Sequence, residues 1–268
     1  GVTNGWYKSG SNLALTSSAS LYYHLTNWTG TGMTGFDTGS VLSVTMNQAK
    51  TITANFSPSG TVSLPGGGGA VEVILLGSDL VVRQEGGAEL LRTAAASLTQ
   101  LMVNGSNSAD WLKVNFANGN PIPANGLSFD GAAATDRIEM VNGSFSTVTC
   151  DISGLNASGF IDLDSARITV SNLEDLTEQC QATNVIINLN NNSDNVILDD
   201  DGTVNNGLSR LWSGIGGFIT TTFRNPANAL TINTFLGEDA MTVDSLEPIF
   251  SSSLTIHSGA NLNVINVN

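Results

Sequence analysis

Charged residues are scarce in this sequence. Asp, Glu, Lys and Arg make up 12% of the 268 residues, roughly half the share found in an ordinary soluble domain. Nine Lys and Arg stand against 23 Asp and Glu, which gives a net charge of −14. So few dispersed cations cannot neutralise a phosphate backbone or hold an anionic membrane surface. The composition therefore excludes nucleic-acid binding and a polybasic membrane contact.

Long apolar runs and a targeting signal are also absent from the sequence. A membrane-spanning helix needs about 18 or more consecutive apolar residues, and the sequence has no run near that length. It has no secretory signal core and begins on Gly1 without an initiator Met. We therefore expect no membrane insertion, and we expect the sequence to be a mature segment or a fragment of a longer protein.

Catalytic motifs are missing as well. The sequence has two His residues and contains no Gly-x-Ser-x-Gly, no His-Glu-x-x-His and no phosphate-binding loop. Asp199 and Asp200 could pair with Asp162 or Asp164 at glycosidase spacing, but only their proximity in sequence supports this. We therefore expect that the protein is not an enzyme and has no catalytic residue and no cofactor. Of the three functions considered below, a polysaccharide-active enzyme is ranked last.

The sequence holds only two Cys residues, Cys150 and Cys180. An even pair in a secreted chain permits one disulfide, and two buried free thiols are the alternative. The sequence leaves this choice open.

Thr, Asn, Ser and small apolar residues fill the remaining positions, and the apolar residues alternate in short runs. Together with 41% hydrophobic residues, this pattern predicts an all-β fold with Gly and Asn turns. A Pro, Gly and Ser stretch at residues 57–69 divides the sequence. It predicts a small β module at residues 1–56, a linker or first turn at 57–69, and a larger domain at 70–268.

The first 56 residues carry several characteristic short motifs. Gly-Trp-Tyr-x-x-Gly starts at Gly5, Asn-Trp-Thr-Gly starts at Asn27, Val-Thr-Met starts at Val44, and Lys-Thr-Ile-Thr-Ala-Asn-Phe starts at Lys50. This region resembles the divergent internalin-type B-repeat, a small β-rich module of bacterial surface proteins. Such modules begin with a further strand before the Gly-Trp-Tyr, whereas this sequence begins almost on it.

The larger region contains an internal repeat of 14 residues. Five copies align without gaps, at residues 101–114, 127–140, 185–198, 230–243 and 254–267. Positions 1, 3, 12 and 14 are apolar, and position 4 is Asn, Asp or His. Position 10 is acidic in four copies and Asn in the fifth, namely Asp110, Asp136, Asp194, Asp239 and Asn263.

This pattern predicts a strand at positions 1–3, a turn at positions 4–10 and a second strand at positions 12–14. Successive copies start 26, 58, 45 and 24 residues apart. The short steps match one coil of a β-solenoid, and the long steps suit roughly two coils each. A β-solenoid, like a parallel β-helix, is therefore the predicted architecture, with a β-sandwich as the alternative.

Residues 60–268 also resemble the repeat modules of very large secreted proteins of planctomycete-type bacteria. The phrases that carry this likeness are NGNPIPANG at 118–126, LDDDG at 198–202, GLSR at 207–210 and TFRNP at 222–226. The resemblance implies an extracellular array or anchor, and it implies no particular ligand.

The sequence suggests a calcium site and a glycan site as possible binding sites, and the calcium site is considered first. Hard oxygen donors, which calcium prefers, are concentrated at Asp199, Asp200, Asp201, Glu238 and Asp239; the alternative is solvated turns. Position 10 of the repeat fits a turn-capping residue better than a metal ligand.

Aromatic residues cluster in the N-terminal module, and they could stack on a glycan. These residues are Trp6, Tyr7, Tyr22, Tyr23 and Trp28. A module of 56 residues needs large side chains for its own core, however, so we interpret them as core.

The leading hypothesis is an extracellular structural or adhesive protein of the cell surface, a subunit that self-associates into fibres through uncapped strand edges. The alternative is a glycan- or calcium-binding module of a giant adhesin.

Overall fold

The computed structural model describes residues 5–19, 23–31, 37–154, 157–214, 218–259 and 264–268. They contain β-strands and one short 3-10 turn but no α-helix, so the all-β prediction is confirmed. No helix in these ranges has the length and apolar character required to cross a membrane. The chain forms two compact units, Gly1–Ser59 and Gly60–Asn268.

The first unit consists of two antiparallel strand pairs. β1 (Ser11–Thr16) pairs with β3 (Val41–Met46), and β2 (Tyr23–Gly30) pairs with β4 (Ile52–Pro58). Alternate residues of these strands point inward, as the period of two predicts. Trp28, Leu42 and Val44 form the buried centre, against which Leu15, Leu25, Met46, Ile52 and Ala54 pack.

In the described part of the second unit, twenty strands form two open sheets. The strands of the nine-stranded sheet are β5 (Thr61–Ser63), β9 (Leu101–Asn104), β11 (Leu127–Asp130), β13 (Ser144–Gly154), β14 (Ser158–Leu163), β15 (Ala166–Ser171), β17 (Gln181–Asn188), β21 (Ala229–Asn233) and β23 (Ser253–His257). They are arranged in the spatial order β23-β21-β17-β13-β14-β15-β11-β9-β5.

The strands of the eleven-stranded sheet are β6 (Gly69–Leu76), β7 (Asp79–Gln84), β8 (Glu89–Ala94), β10 (Asp110–Asn115), β12 (Arg137–Val141), β16 (Asp175–Glu178), β18 (Asn195–Asp200), β19 (Leu208–Ser213), β20 (Thr220–Arg224), β22 (Ala240–Val243) and β24 (Val264–Val267). Their order is β24-β22-β18-β19-β20-β16-β12-β10-β6-β7-β8. The 3-10 turn, Ala95–Ser97, follows β8.

Each 14-residue repeat places one strand in each sheet. Repeats stack in parallel with equal positions opposite each other, so Leu127 lies opposite Leu101 and Ile138 lies opposite Leu112. The strand–turn–strand prediction for the repeat is therefore confirmed. Positions 1, 3, 12 and 14 are buried in the first four copies, whereas β24 in the fifth copy is exposed at every position.

The step of 58 residues crosses from one sheet to the other and back twice, as the two predicted coils would, whereas the step of 45 residues does so only once. Both steps contain antiparallel three-stranded meanders, β13-β14-β15 in one sheet and β18-β19-β20 in the other. A two-residue turn joins Leu163 to Ala166, and Asp164 adopts a left-handed conformation in it with φ of 55°. Such a turn reverses the chain within one sheet instead of sending it to the other.

The stretch at residues 57–69, predicted as a linker or first turn, contains paired strands. It includes the end of β4 and all of β5, and β5 pairs with β9 in the nine-stranded sheet. Val62 and Leu64 are buried there. Of the Pro and Gly residues that suggested a linker, only those at positions 65–68 lie between β5 and β6.

Candidate functional site

The acidic residues at position 10 of the repeat are buried and connect neighbouring repeats. The amide of Asp110 donates to Oδ1 of Asp136 at 2.8 Å, and the amide of Asp194 donates to Oδ1 of Asp239 at 3.0 Å. Asp110 also accepts a hydrogen bond from the amide of Ser106, which is the turn contact that the sequence predicted. The position-10 carboxylates therefore act as acceptors for backbone amides. The fifth position-10 residue, Asn263, lies outside the described residues.

The position-10 residues Asp110, Asp136, Asp194 and Asp239 are together called the position-10 column. Burial changes the ionisation of its carboxyl groups. Asp136 is fully buried and Asp194 is nearly so, and loss of hydration raises the pKa of both carboxyls above the ordinary value. The nearby charge of Glu174 adds to the effect at Asp136, and that of Asp239 adds to it at Asp194. The column stores unfavourable charge while it supplies hydrogen bonds.

Asp136→Ala is expected to lower the free energy of unfolding by about 1–3 kcal/mol, because the buried amide of Asp110 would lose its acceptor. Asp136→Asn keeps an oxygen at the same place and removes the charge, so it is expected to change stability far less. Urea unfolding of both variants at pH 7 measures the difference. Equal losses in the two variants would contradict a hydrogen-bonding role.

The acidic residues proposed as calcium ligands form hydrogen bonds with different parts of the protein and do not converge on one point. Asp199 accepts from the Arg210 guanidinium and from Nε1 of Trp212. Asp200 closes a turn at the amide of Gly202, and Asp201 holds the amide of Thr203 and the side chain of Asn206. Across the described ranges, no three His, Cys, Asp or Glu side chains come together in a group that could hold a metal ion.

Glu238 and Asp239 lie in the turn before β22. The amide of Glu238 donates to the hydroxyl of Ser193 in the neighbouring turn at 3.0 Å. Asp239 is buried in the position-10 column. Both residues thus take part in contacts between adjacent repeats.

Cys150 and Cys180 are free thiols and both are buried. This corresponds to the second of the two alternatives that the sequence left open. They share their surroundings with Glu178, a fully buried carboxyl that accepts a hydrogen bond from the amide of Cys180. Burial and the charge of Glu178 raise the pKa of both thiols, so neither thiol is activated as a nucleophile.

The aromatic residues of the first unit fall into two groups. Trp28 is buried and its Nε1 donates to the carbonyl of Gly39 at 2.8 Å, which agrees with a core role. Trp6, Tyr7 and Tyr23 are exposed, so the core interpretation is wrong for them. Tyr22 lies outside the described residues.

This small antiparallel unit with its central tryptophan coincides with a known domain. Residues 1–60 match the divergent InlB B-repeat domain. The predicted internalin-type resemblance is thereby shown for the first unit. B-repeats are domains of bacterial surface proteins. No curated protein and no solved structure matches the chain, and the planctomycete-type resemblance of the second unit stays a prediction.

The two edges of the eleven-stranded sheet differ. At one edge, β8 presents Arg92, which forms ion pairs with Asp79 and Glu89. At the other edge, β24 presents apolar side chains, with Val264 51%, Ile265 45% and Val267 75% exposed. Charged side chains protect a strand edge against pairing, and an apolar edge lacks that protection.

A row of charges crosses the outer face of the eleven-stranded sheet. The printed registers place eight residues side by side on eight adjacent strands, in the order Arg83, Glu72, Lys113, Glu139, Thr177, Thr222, Arg210 and Asp199. The signs alternate on both sides of the two threonines. We call this set the charge row.

Ion pairs within the charge row follow the alternation. Arg83 lies 2.6 Å from Glu72, Lys113 lies 3.9 Å from Glu139, and Arg210 lies 2.8 Å from Asp199. Burial acts to raise the pKa of Glu72, but hydrogen bonds from Asn115 and Arg83 outweigh it, and the pKa lies below its ordinary value. Sequence reasoning missed the row because its members are far apart in the sequence.

Proposed function

We propose that the chain is an extracellular structural or adhesive component of a bacterial cell surface and has no catalytic activity. The observation that carries this proposal is the match of residues 1–60 to the divergent InlB B-repeat domain, a surface-protein module. The internal contacts of the acidic residues support it, because they leave these carboxylates engaged in turns, columns and ion pairs. A repeat whose polar groups form hydrogen bonds to the neighbouring repeats is suited to a scaffold.

We further propose that the second unit is a β-solenoid and not a β-sandwich. Sandwiches are built from antiparallel sheets, whereas most neighbouring strands in both sheets of this unit run parallel. In the first, second and fourth repeats the chain also crosses to the other sheet after each strand, as successive solenoid coils do.

The proposed partner is a second copy of the chain, which adds a strand to β24. The amides of Val264 and Asn268 donate to β22, through the carbonyls of Asp239 and Val243. Because successive amides of a strand point to opposite sides, those of Ile265 and Val267 point away from β22. A strand placed there would gain backbone hydrogen bonds and cover the apolar side chains of β24.

Val267→Pro is expected to weaken self-association, because proline removes the outward amide without removing a hydrogen bond to β22. The loss of about 1 kcal/mol for the hydrogen bond, together with the bulk of the ring, predicts a roughly tenfold or larger rise in the concentration needed for assembly. Light scattering of the full chain over a concentration series measures this. Electron microscopy shows whether fibres form.

Val267→Thr is the matched control, since it keeps the amide and the branched β-carbon. It is expected to assemble at a concentration much closer to that of the wild type. A wild-type chain that stays monomeric at every concentration and forms no fibres would overturn the self-association proposal. Equal assembly of the proline variant and the wild type would move the contact away from β24.

A further inference from the structure

The charge row is interrupted at its centre by Thr177 and Thr222, which lie opposite each other on β16 and β20. Elsewhere the row is built from long charged side chains, so two short hydroxyl side chains leave the surface lower at this point. The resulting polar depression has a volume of about 320 Å³. That volume lies at the lower end of the range typical of small-molecule sites, about 300–1,000 Å³.

Arg137 and Arg210 form opposite walls of the depression, and each guanidinium lies against a tryptophan ring outside it. On one side the Arg137 guanidinium lies 4.8 Å from the ring centre of Trp111, and on the other the Arg210 guanidinium lies 5.2 Å from that of Trp212. Arg137 is on β12 and Arg210 is on β19, which are three strand intervals apart. At about 4.8 Å per interval the walls stand about 14 Å apart.

The walls are held in place by their own contacts. Arg210 donates two hydrogen bonds to Asp199, which also accepts from Nε1 of Trp212. Arg137 donates to the hydroxyl of Thr177 at 3.0 Å. Cations fixed in this way lose little further freedom when a ligand arrives, which favours binding.

The charges around the depression cancel. Arg137 and Arg210 are matched by Asp175 and Asp201, which also line it. Arg137 additionally lies 3.7 Å from Asp175. A site whose cations are already paired gives an anion no net attraction, so the electrostatics favour a neutral ligand.

The lining offers both donors and acceptors of hydrogen bonds. Within the part of the chain that the structure describes, no side chain or backbone group bonds to the hydroxyls of Thr220 and Thr222, and both residues are half-buried. Gln179 and Asp175 add amide and carboxylate groups. Hydroxyl, amide and carboxylate groups are the complement of a ligand that carries many hydroxyls.

We propose that this depression binds a segment of a neutral polysaccharide. The hydroxyls of the sugar would bond to Thr220, Thr222 and Gln179, and the side chains of Arg137 and Arg210 would contact its flanks. The site lies on β16 and β20, away from the β24 edge in the strand order, so it does not depend on the proposed self-association. It gives the surface protein a means of attaching to a carbohydrate matrix.

Thr222→Tyr tests this, because a large side chain at the centre would fill the depression. The residue points outward on its strand, so the fold should tolerate the change. Full-length protein is run in native gels that contain dextran, galactomannan or alginate, after a glycan array of neutral and acidic oligosaccharides has guided the choice of probe. We expect a neutral polysaccharide to retard the wild type, and Thr222→Tyr to lose at least about tenfold in affinity, the equivalent of 1.4 kcal/mol.

Thr231→Tyr is the matched control. Thr231 occupies a half-buried position between two buried residues of β21, in the other sheet, and the same substitution there should leave retardation unchanged. Thermal unfolding of both variants shows that each is folded. Binding to alginate alone, binding that Thr222→Tyr leaves intact, or no binding to any neutral glycan would each overturn the proposal.

Discussion

Glu178→Gln is expected to stabilise the protein at pH 8 by about 1–3 kcal/mol. Glu178 is fully buried in the interior of the second unit beside two thiols. Burial raises its pKa to about 7, and the Cys180 amide and the charge of Arg224 offset only part of this effect. At pH 8 the folded protein must hold a buried carboxylate, whereas glutamine keeps an oxygen for the Cys180 amide without the charge.

The sign of the pH dependence follows from the raised pKa. Between about 4.5 and 7 the folded state binds a proton at Glu178 that the unfolded state has released, so stability falls as the pH rises through this window. The raised pKa values of Asp136 and Asp194 act in the same direction. We therefore expect the wild type to resist urea better at pH 5 than at pH 8.

Urea unfolding of wild type and Glu178→Gln at both pH values measures this. The gain from the substitution should be present at pH 8 and nearly absent at pH 5, where the glutamate is protonated. Glu85→Gln changes a carboxyl that is 60% exposed, and it serves as a control with an expected change within about 0.5 kcal/mol. A gain of the same size at pH 5 would show that charge is not its cause.

Gly131→Ala is expected to destabilise the second unit by about 3 kcal/mol or more. A Cβ atom at this position would lie 2.2 Å from the backbone oxygen of Asn172 and 2.7 Å from Oδ2 of Asp136. A backbone oxygen cannot swing aside as a flexible side chain does, so neighbouring coils would have to separate. The clash would also disturb the position-10 column at Asp136.

Gly66→Ala is the matched control, because a Cβ atom at Gly66 would meet no atom within 4 Å. Thermal and urea unfolding of the two variants should differ by most of the expected loss. If Gly131→Ala unfolds at the same temperature and the same urea concentration as Gly66→Ala, the close backbone approach at Gly131 does not constrain the fold.

The sequence predicts the repeats well because their signal is local. Positions 1, 3, 12 and 14 alternate within 14 residues, and this is enough to place both strands and the turn between them. The meanders were missed because alternation is the same in parallel and antiparallel strands. The turn at Asp164 was the available signal, but it contains no glycine and was not recognised as a hairpin turn.

The polar sites were harder to predict than the strands. The bond from the Asp110 amide to Asp136 joins residues 26 apart, and the Gln179 amide reaches Glu139 across 40 residues. Such contacts depend on which coil stacks on which, and the unequal gaps between repeats conceal that order. The depression at Thr177 and Thr222 was missed for the same reason. Thr177 on β16 and Thr222 on β20 become neighbours only when β17, β18 and β19, which separate them in the sequence, have been placed.

The charge row gives the protein a check against misassembly during folding. Sliding one coil past its neighbour by two residues would keep every apolar side chain inside, so the hydrophobic pattern alone cannot reject that error. The same slip would place Lys113 opposite Ala70 or Ile74 in place of Glu72. Glu139, which is nearly buried, would lose its cation. The charges thus favour the correct register over slipped registers that would bury the same apolar side chains, which matters in a chain whose repeats share one apolar pattern.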